Sequence, residues 1–175
     1  MTTQEVADRE AIKELIYRYC RSVDRLDVAL GHGVFHADSY ADFGLYKGTG
    51  RGWIDFICEE HRKFLHHSHQ VTNIVIDLTG DRAGSESYVT ATLRAHEGEK
   101  LIQRQFWARY VDRWSRRENH WGIERRECII DFASIAEVTA LGEHLRSRRD
   151  QRDPSYDYIG ATSTSRPSSS SVRTI

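Results

Sequence analysis

The sequence predicts an α+β fold in which N-terminal helices cover a curved antiparallel sheet. Near the start, apolar residues recur at helical spacing, and from His69 onward they alternate with period two through four long segments separated by turn residues. The order is equally informative. Helices followed by an unbroken run of strands fit a meander closed by helices, not alternating βαβ units.

Thr2 and Glu5 have capping-box spacing, and Asp8 is a second candidate N-cap. Beyond them Ile12, Leu15, Ile16, Tyr19, Cys20 and Val23 form one apolar stripe, so a first helix is expected to run to about Leu26. Asp27 is placed to cap a following turn. A loop and short strand are expected over 35–45, and a second helix from Trp53 to about His66. Four strands then follow, over 69–78, 83–93, 101–114 and 121–132. The turns between them are Thr79-Gly80-Asp81, His96-Glu97-Gly98-Glu99 and Arg116-Arg117-Glu118-Asn119. A bent sheet closed by a helix leaves a concavity, which is where small ligands bind.

The chain has 175 residues, 39% of them hydrophobic, enough for a single core. Its net charge is −1, with only four lysines and arginines interspersed with acids, which gives no footprint for nucleic acid or an anionic membrane. No apolar run approaches the roughly 18 residues of a membrane span. Cys20, Cys58 and Cys128 are an odd set in apolar surroundings, without CxxC spacing. The polar N-terminus lacks a signal-peptide core, so the expected setting is cytoplasmic. Residues 1–145 are expected to form one barrel domain. Residues 146–175 form a polar extension ending in a serine run and are expected to be largely disordered. The stretch around Tyr156–Ile159 is the part best able to pack on the barrel or a neighbouring subunit.

Two residues carry the candidate chemistry. Asp24 lies at the end of the first helix, on the edge of its apolar stripe, five residues after Tyr19. His69 belongs to a cluster with His61, His66 and His67. Read alone, each is an ordinary helix-end aspartate or strand histidine. Paired, they make a general base at neutral pH, because the carboxylate fixes the imidazole tautomer and stabilises the imidazolium. Such a pair can remove a proton without a metal or an organic cofactor. The spacing of the histidines offers no metal motif, since His66 and His67 cannot readily aim at one point.

The segments AIKELIYRYCRSVDRLD, HSHQVTNIVIDLTGDRAGSESYV and FWARYVDRWSRRENHWGIERRECIIDF resemble SnoaL-like proteins of the nuclear transport factor 2-like superfamily. The resemblance covers about residues 5–133 and implies a cone-shaped α+β barrel. Hexachlorocyclohexane dehydrochlorinase, bile-acid 7α-dehydratase and scytalone dehydratase are the similar enzymes. Their catalytic aspartate and histidine fall on Asp24 and His69, a functional tyrosine on Tyr19, and a last-strand arginine on Arg126. Arg125 and Arg126 alternate, so one of the two should point inward. Where the bile-acid enzyme carries an extra carboxylate this chain has Ala91, so the steroid substrate does not transfer. Phe64, Tyr88, Val89, Ala91 and Trp107, with Phe106 beside them, are the expected lining of a substrate cavity.

The leading reading is a cofactor-independent lyase or isomerase acting on a small hydrophobic substrate. The rival is a non-catalytic binding or assembly module, such as the small subunit of an aromatic-ring-hydroxylating dioxygenase. The resemblance also implies a homo-oligomer, trimer ahead of dimer.

Overall fold

Thr2 opens the first helix as a capping box. Its side chain accepts from the Glu5 amide at 3.2 Å, and the Glu5 carboxylate accepts from the Thr2 amide at 2.6 Å. The computed structural model describes residues 1–140 and 147–159. Helix α1 (Thr3–Arg25) ends at Leu26, whose φ of 54° is left-handed. Asp8 is no cap. It is buried inside α1, where it accepts hydrogen bonds from Arg116 and from the Trp121 indole, tying the helix to the sheet. Asp27 does cap a turn, accepting from the Leu30 amide at 3.0 Å to begin the short helix α2 (Val28–His32).

Strands β1 (Phe35–Asp42) and β2 (Lys47–Thr49) lead into helix α3 (Gly50–His61). That helix starts and stops earlier than apolar spacing suggests, because Thr49 caps it by accepting from the Gly52 amide. A side chain at Gly50 would sit 2.1 Å from the Phe35 ring, so this position must stay bare for α3 to dock on β1.

The meander then runs β3 (His66–Thr79), β4 (Arg82–Glu97), β5 (Lys100–Arg117) and β6 (His120–Glu137), with all three hairpins at the expected turns. The last turn places Glu118 and Asn119 at φ 50° and 64°, the pair of positive dihedrals that suits the twist of a two-residue hairpin. The sheet order is β2-β1-β6-β5-β4-β3. Every pairing is antiparallel except β1 with β6, which is parallel, with Ala41 opposite Arg126. The sheet is therefore mixed. No hairpin joins β1 to β6, so nothing local dictates their relative direction.

Helix α1 lies across the inner face against β3 and β6, and α3 packs on β1, giving the cone-shaped α+β architecture. Ile12, Ile16, Tyr19, Ile54, Trp114 and Ile123 belong to its core, each almost wholly buried. Burying such a side chain contributes about 1.5–3 kcal/mol.

A segment after the barrel, Ser147–Ile159, docks on the ends of α1 and α3 and contains the single turn α4 (Ser155–Tyr158). The Tyr156 hydroxyl donates to Asp27 at 2.8 Å, Arg149 donates to the His61 carbonyl at 2.8 Å, and Arg21 lies over the Tyr156 ring. The stretch around Tyr156 thus packs on its own barrel. The expected domain boundary at 145 and the serine-rich end lie outside the described residues.

Candidate active site

The last turn of α1 faces the start of β3, and this places Asp24 beside His69. One Asp24 oxygen (Oδ2) accepts from the His69 backbone amide at 3.0 Å, while the other (Oδ1) meets His69 Nδ1 at 2.7 Å. A carboxylate only accepts, so Nδ1 donates, and in the neutral ring Nε2 is then the nitrogen with the lone pair. Nε2 has no hydrogen-bond partner among the described residues. The Asp24 side chain is 16% exposed and that of His69 8%.

His69 is part of the wall of an apolar cavity of about 290 Å³, partly open to solvent, between α1, α3 and the inner face of the sheet. Phe64, Val89 and Ala91, all expected in the lining, are there, as is Phe106. Tyr88 and Trp107 are not. Side chains alternate along a strand, so Val89 and Phe106 facing in turns Tyr88 and Trp107 out. On the outer face Trp107 stacks on Phe132 at 4.7 Å.

Tyr19 also faces the cavity. Its hydroxyl accepts from the Trp53 indole at 2.8 Å, which leaves its own proton free to donate. Burial raises its pKa, against the pull of the Arg126 charge beneath it, so it remains a neutral donor. Of the two arginines, Arg126 points inward and Arg125 outward, over the Tyr40 ring. Arg126 nevertheless does not reach the cavity. It is fully buried in a two-pronged ion pair with Asp112, both contacts 2.7 Å, and is roofed by Tyr19 and Tyr110 at 4.2 and 4.3 Å. What Arg126 can touch is Tyr19.

Several lining residues went unnamed in the sequence. Tyr110, Phe43 and Trp53 complete an aromatic wall, with Phe43 stacked on Trp53 at 3.7 Å. Their only advance signal is aromaticity, which core residues share. Cys128 lines the cavity as well, but burial pushes its thiol up to about 12, so it stays protonated at neutral pH. His61 also lines the wall, 6.0 Å from the His69 ring and nearly parallel to it. Burial, the larger cause, together with its neighbours His67, His69 and Arg149, lowers its pKa to about 3. Among the described residues no three His, Cys, Asp or Glu side chains converge to hold a metal ion, and no helix is long and apolar enough to cross a membrane.

Residues 4–127 match the family of SnoaL-like domains. No curated protein sequence matches the chain. Among solved structures, a candidate scytalone dehydratase from Novosphingobium aromaticivorans is 21% identical, with a TM-score of 0.69 over 85% of this chain and 100% of that one. A hexachlorocyclohexane dehydrochlorinase from Novosphingobium barchaimii is 17% identical, with a TM-score of 0.65 over 81% and 95%. A candidate aromatic ring hydroxylase from Novosphingobium aromaticivorans is 25% identical, with a TM-score of 0.66 over 76% and 94%. What these structures share with the chain is the fold.

Proposed function

The chain belongs to the SnoaL-like domain family of the nuclear transport factor 2-like superfamily, and from that premise we propose that it is a lyase or isomerase whose base is the Asp24–His69 pair. The observation that carries this reading is the 2.7 Å contact that protonates Nδ1 and leaves Nε2 as the basic atom of a cavity-lining ring. In the proposed reaction Nε2 takes a proton from carbon of a small hydrophobic substrate, and Asp24 stabilises the resulting imidazolium. The Tyr19 hydroxyl donates to the oxygen or leaving group on which charge develops. Arg126 acts at one remove, its charge beneath the Tyr19 ring favouring a phenol that donates well. The pair supplies the base from the chain itself, so the proton transfer calls on no metal or organic cofactor. Fold neighbours named as a dehydratase and a dehydrochlorinase support elimination as the reaction type.

A screen of small hydrophobic alcohols, halides and enones, followed by mass spectrometry and NMR in heavy water, tests the proposal. We expect at least one to lose water or halide, or to take up deuterium, with wild type. His69→Ala should lower that rate by a factor of about 100 to 10,000 while the fold persists. A substrate turned over at the wild-type rate by His69→Ala contradicts it.

We further propose that the protein is a homo-oligomer, trimer ahead of dimer. Phe132, 60% exposed, stacks on Trp107 on the outer side of the sheet, and Ile135, 64% exposed, lies further along β6 opposite Arg104; self-association would cover such exposed apolar side chains. Light scattering at micromolar concentration should give a multiple of the monomer mass, and a monomer contradicts the assignment.

A further inference from the structure

Two histidines line the cavity, and only one has a carboxylate. His69 is held by Asp24, whereas His61, the last residue of α3, meets no acid among the described residues. Its ring is wedged between His67, Phe64 and His69, with centroids 4.7, 5.6 and 6.0 Å away, and the residue is 7% exposed. The Arg149 guanidinium grips its backbone carbonyl from outside. Its Nδ1 is sealed from solvent and has no hydrogen-bond partner among the described residues. The Nε2 atom also has none among the described residues, yet the ring forms part of the cavity wall.

The tautomer follows from that asymmetry. A proton on Nδ1 would be a buried donor with no acceptor, which folded proteins avoid more strictly than an unfilled lone pair. The proton therefore belongs on Nε2, the nitrogen left to face the cavity. His67 shows the same arrangement: its Nε2 donates to the Val23 carbonyl at 2.8 Å, and its Nδ1 lone pair is buried unpaired. In His67 the acceptor is part of the protein. In His61 it is missing.

We propose that His61 is a substrate-orienting hydrogen-bond donor, and that the cavity takes small ring compounds bearing a hydroxyl or carbonyl oxygen, which accepts from His61 Nε2. His69 and His61 thus divide the work. The first has a partner to stabilise a proton and serves as the base; the second, with none, stays neutral and only donates. Size sharpens the class. A cavity of about 150 Å³ holds benzene, so about 290 Å³ suits a body of roughly ten to twelve heavy atoms, the size of a fused pair of rings. Glu60, Arg104 and Cys128 aside, the remaining wall is aromatic and aliphatic, which favours a flat apolar body with its oxygen at the histidine end. The inference takes the cavity to be the substrate site, as proposed above. Its test reads binding and not turnover, so either reading can fail while the other stands.

The probes are 2-naphthol and naphthalene, which differ by one oxygen, with binding followed by quenching of tryptophan fluorescence. Wild type should bind the naphthol about tenfold more tightly, the worth of one good hydrogen bond. His61→Leu should bring the two affinities within about threefold of each other, while His61→Gln, which keeps an N–H donor, should restore the preference. His69→Ala should retain it. Should His61→Leu fail to fold, wild-type protein labelled with ¹⁵N-histidine gives the same answer: the His61 ring nitrogens should shift with naphthol and not with naphthalene. A preference that survives His61→Leu, that disappears instead in His69→Ala, or that is absent in wild type overturns the proposal, as does failure to bind either probe or an unmoved His61 resonance.

Discussion

Asp24–His69 and Arg126–Asp112 are the same kind of object in different parts of the cone. Each joins a carboxylate to a nitrogen side chain across two elements, with contacts of 2.7 Å. At the wall, the His69 pair leaves one ring nitrogen uncommitted next to a cavity. Below it, Arg126 and Asp112 are fully buried, two tyrosine rings close the top, and Arg126 Nη1 has no partner among the described residues. Burial alone would lower the Arg126 pKa, but Asp112 more than offsets it, so the arginine stays charged. The difference teaches that a polar pair is a candidate for chemistry only when one of its atoms is left over on the accessible side. The sealed pair ties β5 to β6 inside the barrel; the open pair is free to act.

The largest test of that contrast is Asp112→Ala. Removing one partner strands a buried charge, so stability in urea should fall by about 3–5 kcal/mol, whereas His69→Ala at the cavity wall should cost about 1 kcal/mol or less. Equal losses would erase the distinction between structural and chemical pair. Next comes pH. The His61 pKa drops from its ordinary 6.5 to about 3, and burial also lowers that of His67. Between these values the unfolded chain binds a proton that folded His61 refuses. Stability should therefore fall as pH drops from 6.5 towards 4, by about 1.4 kcal/mol per unit from His61 alone. His61→Phe should flatten that part of the curve, and an unchanged slope would mean that His61 titrates normally. A smaller effect is expected from cutting the chain before Ser147. Losing the Tyr156–Asp27 and Arg149–His61 hydrogen bonds should cost roughly 1–2 kcal/mol. Cutting only after Pro167 should leave the melting temperature unchanged, since a serine-rich end has little to bury.

Much of the barrel was legible in the sequence because its signals are local. The Thr2–Glu5 box, the α1 stripe and the three turns each involve residues a few positions apart, and each is where the sequence places it. The parallel β1–β6 pairing was not legible, since it joins segments separated by about half of the chain. Lining residues were legible only to a parity. Alternation says that Tyr88 and Val89 face opposite ways, but not which faces in, and a register shift between Trp107 and Ala108 interrupts the count on the neighbouring strand. Arg126 was correctly one of an inward–outward pair. That it is sealed depends on Asp112, fourteen residues earlier on another strand and opposite it in register, and no local pattern joins the two. His61 was visible as one histidine of a cluster, but its lack of a carboxylate, the feature that separates it from His69, exists only in three dimensions.

The central claim is that Asp24 and His69 act as one base, and a double-mutant cycle on a substrate from the screen tests it most directly. We predict that kcat/KM falls by about 100-fold or more for His69→Ala and for Asp24→Asn, and that the double variant lies within about threefold of His69→Ala, because groups acting as a unit lose their contribution once. Losses that multiply in the double variant would show two independent contributions and contradict the account.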